Sequence, residues 1–135
     1  MQFHQGRLID HVHLRVSDLE ASRRFYRAVL QAVGKAFTSE SPRHFYCDEL
    51  WVDQADGAVS RVHLAFQATD REMVHAFYKA ALAHGGRDNG GPGERSYHPG
   101  YYGAFVFDPD GNNIEAVFHG PADRTADSVI VSPKL

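Results

Sequence analysis

Apolar and polar residues alternate in two segments of the chain that lie 52 positions apart. The first segment reads "DHVHLRV" from Asp10, and the second reads "VHLAFQA" from Val62. Because successive side chains of a strand point to opposite faces, each segment predicts a strand with one apolar face and one largely polar face. The polar faces carry His11 and His63, which occupy the same place in the repeat.

Each predicted strand is followed by a segment with helical spacing of apolar residues. Ser17 and Thr69 are candidate N-caps, and glycines at 34 and 85–86 are candidate C-terminal stops. The predicted buried faces contain Leu19, Ser22, Tyr26 and Val29–Leu30 in the first helix, and Met73, Phe77, Ala80 and Ala81 in the second. The sequence therefore predicts two equivalent helices that bury equivalent faces.

Short strand-like pieces follow each helix, so that each half reads β-α-β-β-β. In the first half they are "KAFTSE", "RHFYC" and "ELWVDQ". In the second half a poorly marked strand precedes "YYGAFVF", the turn "DPDG" and "NNIEAVF". We predict one domain over residues 1–135, with module one at about 8–55, module two at about 61–119 and a C-terminal tail at 120–135. The tail segment "SVIVS" has no slot in this plan.

Composition narrows the functional classes. A net charge of -3 gives no sign of nucleic-acid or membrane binding. One cysteine, Cys47, excludes an intrachain disulfide and fits a reducing compartment. No apolar run approaches the roughly 20 residues that span a bilayer, and no signal peptide is visible at the N-terminus. We therefore expect a cytoplasmic protein.

The doubled unit with "DHVHLRVSD", "VHLAF" and "FVFDPDGNNIEAVF" resembles the vicinal oxygen chelate superfamily over about residues 8–119. That superfamily includes glyoxalase I, extradiol dioxygenases, fosfomycin-resistance enzymes and bleomycin-resistance proteins. The resemblance implies an α+β fold in which two tandem β-α-β-β-β modules form a curved mixed sheet around a metal and substrate cleft.

The resemblance also implies metal ligands at His11, His63 and Glu115. Two imidazoles and one carboxylate suit a divalent ion such as Fe, Mn, Ni or Zn and leave positions open for substrate oxygens. His13 shares a strand face with His11, but the repeat matches His13 to Ala65 and His11 to His63.

Two residues compete for the place that corresponds to Glu115 in the first half. Aligning "DELWV" with "IEAVF" selects Glu49, whereas another gap selects Trp51. Glu49 is a candidate ligand or general base, with a solvated edge-strand acid as the alternative. Arg15 lies on the face of His11 and is a candidate reader of an anionic substrate group, or else the ion-pair partner of a cleft acid.

The loop before the last hairpin raises the question of ring cleavage. In extradiol dioxygenases a histidine precedes a tyrosine, an Asp-Pro and the metal glutamate, and His98 matches that histidine. Phe105 stands at the tyrosine position and cannot donate a hydrogen bond. Tyr101 and Tyr102 either line a substrate pocket or pack under the loop.

Three functions remain open at this level. The first is a metal-dependent enzyme of glyoxalase type that performs lyase or isomerase chemistry on a small oxygen-bearing substrate. The second is an extradiol-type dioxygenase, and the third is a metal-free protein that binds a drug or metabolite. We also predict a homodimer, since curved sheets leave edges to cover and the tail needs a place to bind.

Overall fold

The computed structural model describes residues 1–134, and the repeat is visible in it as two similar halves. The first half contains β1 (Val12–Val16), α1 (Leu19–Ala32), β2 (Ser39–Ser41), β3 (His44–Cys47) and β4 (Leu50–Gln54). The second half contains β5 (His63–Gln67), α2 (Arg71–Ala83), β6 (Arg87–Asp88), β7 (Gly93–Glu94), β8 (Tyr102–Phe107) and β9 (Asn113–Phe118). The predicted α+β class and its β-α-β-β-β modules are confirmed.

Each half forms its own mixed sheet. The first sheet has the order β1-β4-β3-β2, and the second has the order β5-β9-β8-β6, with β7 also paired to β8. In both sheets the first and last strands of the half run parallel, and the hairpins are antiparallel. The strands are thus divided between two sheets, one for each β-α-β-β-β module. The second half also has one short strand more than predicted, because the glycine-rich loop pairs briefly with β8.

Both helices are capped one residue later than predicted. The side chain of Asp18 accepts a hydrogen bond from the backbone of Ala21, and that of Asp70 accepts one from Met73. Ser17 is diverted to another contact, since its backbone N–H and its hydroxyl both donate to Asp110 in the β8–β9 turn. The buried residues of α1 include all those predicted. In α2, Phe77 and Ala81 are buried as predicted and Val74 is buried as well, whereas Met73 and Ala80 are only half-buried.

One hydrophobic cluster joins the two halves. It includes Leu14 and Phe45 from the first sheet, Ala104 and Ile114 from the second, and the inner faces of both helices. The contact between the halves runs chiefly through α1 against α2. The alternate side chains of each sheet therefore lie on a face turned away from the helices, which we call the helix-free face.

A buried polar contact also links the halves. The hydroxyl of Tyr26 on α1 donates to Asp108 at the end of β8, at 2.5 Å. Burial, followed by the charge of Asp108, raises the pKa of Tyr26 well above its usual value, so the hydroxyl stays a donor. Asp108 also accepts from the backbone and side chain of Asn112. The "DPDGN" turn thereby binds the first half to the second.

The ends of the chain lack regular structure within the described residues. Phe3 and Leu8 near the start, and Val129 to Val131 in the tail, expose most of their apolar surface. Arg124 donates to the side chain of Gln67 at the end of β5, which ties the beginning of the tail to the second sheet. Neither helix has the length and apolar character needed to cross a membrane.

Candidate metal and substrate site

The helix-free face of the second sheet holds a buried carboxylate between two polar side chains. Glu115 on β9 is only 2% exposed, and its Oε1 lies 2.7 Å from Nε2 of His63 on β5. The hydroxyl of Tyr101 donates to the other carboxylate oxygen. The β5–β9 ladder brings the histidine to the glutamate, because His63 pairs with Asn113 and the next residue pair on this face is Ala65 with Glu115.

Tyr101 enters the site because a glycine leaves room for it. A β carbon at Gly103 would lie 3.3 Å from both the Glu115 carboxylate and the Tyr101 ring. Burial, with a smaller contribution from the hydrogen bond to Glu115, raises the pKa of Tyr101, so it remains a hydrogen-bond donor. The charge of Arg95 acts in the opposite direction.

The other aromatic residues of this region lie in different environments. The ring of Phe105, beside Glu115 in the ladder, lies 6.0 Å from the His63 ring. The side chain of Tyr102 faces α2, where its hydroxyl is hydrogen-bonded to Nε2 of His75 at 2.6 Å. It is therefore not part of the helix-free face. His98 is exposed, contacts His119 at 2.8 Å and packs edge-on against Tyr101.

His11 lies apart from this pair. It precedes β1 in the first half, is largely exposed, and its Nδ1 contacts Asp10 at 2.6 Å. Within residues 1–134, no three side chains of the metal-binding types come together. Of the three predicted ligands, His63 and Glu115 therefore lie together within one chain, and His11 does not lie with them.

His11 lines a pocket on the first sheet together with Glu49 and Trp51. The pocket has a volume of about 400 Å³. The backbone N–H of Val12 donates to the carbonyl of Glu49 at 2.7 Å. Glu49 is therefore the neighbour of His11 across the sheet. Trp51 pairs with His13, and Glu115 pairs with Ala65. Because His13 and Ala65 occupy the same position of the repeat, the strand register makes Trp51 the counterpart of Glu115.

Aromatic rings and charged groups fill the rest of the first sheet's helix-free face. Trp51 stacks on His44 with ring centres 4.3 Å apart and on Tyr46 at 5.2 Å. His13 contacts Asp53 at 2.7 Å. Arg15 exposes its side chain, which makes no ion pair within the described part of the chain.

Sequence reasoning missed three parts of this arrangement: Tyr101 as the partner of Glu115, the space made by Gly103, and the position of Arg95. The repeat offered no signal for them, because the loop from Asn89 to Tyr101 has no counterpart in the first half. The pairing of Gly103 with Val117, two residues beyond Glu115, is decided only by strand register.

Comparison with known proteins agrees with this fold. Residues 8–116 match the family model of the Glyoxalase/Bleomycin resistance protein/Dioxygenase superfamily. The chain is 30% identical to a glyoxalase/bleomycin resistance protein from Albidiferax ferrireducens T118, with a TM-score of 0.71 over 80% of this chain and 96% of that one. No curated protein gives a significant match.

Two further solved structures share the fold. A lactoylglutathione lyase from Agrobacterium tumefaciens is 24% identical, with a TM-score of 0.60, covering 83% of this chain and 93% of its own. A glyoxalase-related enzyme from Fulvimarina pelagi is 23% identical, with a TM-score of 0.64, covering 83% and 88%. At these identities the likeness concerns the fold alone.

Proposed function

The chain belongs to the Glyoxalase/Bleomycin resistance protein/Dioxygenase superfamily, and from that premise we propose that it is a metal-dependent enzyme acting on a small oxygen-bearing substrate. The observation that carries the proposal is the environment of Glu115. Its buried carboxylate contacts His63 and Tyr101 but pairs with no arginine or lysine of residues 1–134. A buried charge without a compensating cation is unfavourable, and a divalent ion would supply that cation.

The donor atoms suit such an ion. Nε2 of His63 and Oε1 of Glu115 converge on one another, and Tyr101 fixes the carboxylate through its second oxygen. Imidazole nitrogen and carboxylate oxygen are the ligand types of Zn, Fe, Mn and Ni sites. The third ligand of the proposed set, His11, is in the other half of the chain.

We therefore propose that the site forms between two copies of the chain. The helices join the two halves of one chain, and the helix-free faces remain available to a partner. A two-fold dimer in which each first sheet faces the partner's second sheet would bring His11 to His63 and Glu115 twice. The exposed apolar residues at both ends of the chain provide further surface for this contact.

When bound, the metal would supply a Lewis acid that polarises a substrate carbonyl. Tyr101 orients Glu115, and Phe105 provides an apolar wall beside His63. Glu49 neighbours His11 across the first sheet and would enter the shared site with it. We assign to Glu49 the transfer of a proton on the substrate, which is the step that lyase and isomerase chemistry on a carbonyl compound requires.

The dioxygenase alternative requires a hydrogen-bond donor at position 105, and phenylalanine has none. The hydroxyl of Tyr101 is engaged by Glu115. The metal-free binding alternative draws on a different observation, the stack of His44, Tyr46 and Trp51, which offers a planar surface for an aromatic ligand. Oxygen uptake would identify the dioxygenase, and protein that binds no divalent metal would favour the binding protein.

A mixed dimer tests the proposed site. His11→Ala and Glu115→Ala chains carrying different tags are refolded together, and the dimer with both tags is isolated. Neither variant alone should retain metal. In the mixed dimer one of the two shared sites is intact, so we expect about one metal per two chains.

The outcomes separate the parts of the proposal. A mixed dimer without metal, beside a wild-type protein that binds it, would reject the shared site and leave a site within one chain. Wild-type protein that takes up no Zn, Fe, Mn or Ni after reconstitution would reject the metalloenzyme. Sedimentation at low micromolar concentration, with and without residues 126–135, tests the dimer and the role of the tail separately.

A further inference from the structure

The loop from Asn89 to Tyr101, which pairs with the edge of β8, carries one half-buried arginine, Arg95. Its backbone is fixed to β8, because Asn89 donates to the carbonyl of Phe105 and Phe105 donates to that of Gly90, at 3.0 and 2.8 Å. Arg95 donates in the same way to the carbonyl of Tyr101 at 3.0 Å. The loop is thereby held along the edge of β8 that faces away from β9.

The side chain of Arg95 lies over the ring of Phe105, with its guanidinium carbon 5.3 Å from the ring centre. The ring of His63 lies 6.0 Å from the same phenyl ring. Because Phe105 shares its face with Glu115 in the ladder, the guanidinium lies on the helix-free face beside the candidate site.

Glycines make the space that the guanidinium occupies. A β carbon at Gly90 would lie 3.2 Å from one terminal nitrogen of Arg95, and one at Gly93 would lie 3.1 Å from the other. The two nitrogens donate to the carbonyls of Gly91 and Glu94, at 2.8 and 3.3 Å. These contacts fix the fork in place, and they leave its remaining N–H groups free to donate.

Arg95 has no carboxylate partner within residues 1–134, unlike Arg23, Arg27 and Arg71. A fixed guanidinium with unused donors is suited to bind a planar or tetrahedral oxyanion. We infer that Arg95 binds an anionic group of the substrate, a carboxylate or a phosphate, next to the His63–Glu115 pair. The inference rests on the proposed function only in taking this face as the substrate site.

The test uses the full chain without metal, so that anion binding is measured independently of the metal site. Inorganic phosphate and acetate are titrated separately at constant ionic strength, and the amide resonances of residues 89–105 are followed by NMR. We expect saturable shifts around Arg95, and the ion that binds more tightly identifies the anion class. Arg95→Met should weaken that binding by about tenfold or more, as the loss of a charge-assisted hydrogen bond predicts.

Arg87→Met is the matched control. The guanidinium of Arg87 lies 5.2 Å from the ring centre of Phe107, which is on β8 like Phe105. Unlike Arg95, Arg87 is exposed and lies outside the loop. Its removal should change the affinity by less than about twofold, since exposed charges act weakly at a distance. Arg95→Lys retains the charge and should bind within about fivefold of wild type, which separates loss of charge from a disturbed loop.

Wild-type protein that shows no saturable shift near Arg95 with either ion would overturn the inference, and so would Arg95→Met that binds as tightly as wild type. Loss of binding in Arg95→Lys to the same extent as in Arg95→Met would also overturn it. None of these results affects the metal content of the protein, which tests the proposed function by itself.

Discussion

The two helix-free faces are built on one frame and carry different chemistry. Trp51 pairs with His13 in the first sheet, and at the same point of the second sheet Glu115 pairs with Ala65. Tyr46 beside Trp51 corresponds to Phe105 beside Glu115. The first face therefore offers aromatic stacking beside His11, and the second offers a buried carboxylate beside His63.

This difference shows what the repeat preserves and what it does not. The apolar positions recur because both halves bury them against helices in one core. The positions on the helix-free faces are free of that constraint, so only the histidines at 11 and 63 recur there. Each half alone thus holds an incomplete set of the proposed ligands, and a site requires both kinds of face.

The largest expected effect is on the affinity for metal. It comes from replacing a histidine of the second half, and a histidine of the first half serves as the comparison. His63→Ala should lower affinity for a divalent metal by about a hundredfold or more, because one of three proposed protein ligands is lost. His13→Ala removes a histidine from the other face, where its partner is Asp53, and should leave the affinity within about threefold. Metal content after dialysis against a weak chelator measures both.

Stoichiometric metal retained by His63→Ala would contradict the ligand assignment. Equal losses in both variants would mean that the two faces do not differ in the way proposed.

An intermediate effect is expected from two tyrosines at equivalent positions of the repeat. Tyr26 is buried and donates to Asp108, whereas Tyr78 is half-buried and donates to Asp88 at the surface, at 3.0 Å. Tyr26→Phe leaves a buried carboxylate oxygen without its donor and should lower the free energy of unfolding by about 1–3 kcal/mol. Tyr78→Phe should change it by less than about 0.5 kcal/mol.

Urea unfolding at neutral pH measures both free energies. Equal values for the two variants would show that the buried contact between the halves contributes no more than a surface hydrogen bond.

The smallest effect is expected for Ser22 on α1, and its counterpart on α2 provides the contrast. Ser22 on α1 is fully buried, and its hydroxyl has no hydrogen-bond partner in the described residues, whereas the repeat places Val74 at the same point of α2. Ser22→Ala should stabilise the protein by about 0–1 kcal/mol, since an unpaired buried hydroxyl is removed and alanine favours a helix. Val74→Ala should destabilise it by about 1–3 kcal/mol through the cavity it leaves. A destabilised Ser22→Ala protein would indicate that the hydroxyl has a partner.

The sequence by itself determined the repeat, both helices and the strand faces, whereas the grouping of His63 with Glu115 was implied only by the family resemblance. These features depend on local periodicity, which reflects the alternation of a strand or the turn of a helix. The "DPDG" turn likewise predicted the last hairpin, because its residues favour a tight turn.

Tertiary structure alone decided the rest. Ser17 lost its predicted capping role because Asp110, distant in sequence, occupies it. Strand register equated Trp51 with Glu115, although the residue order left Glu49 as an equal choice. Pairing of the loop with the edge of β8 brought Tyr101 to Glu115 and Arg95 to the ring of Phe105. Such contacts join residues far apart in sequence, and no local pattern encodes which partner will be near.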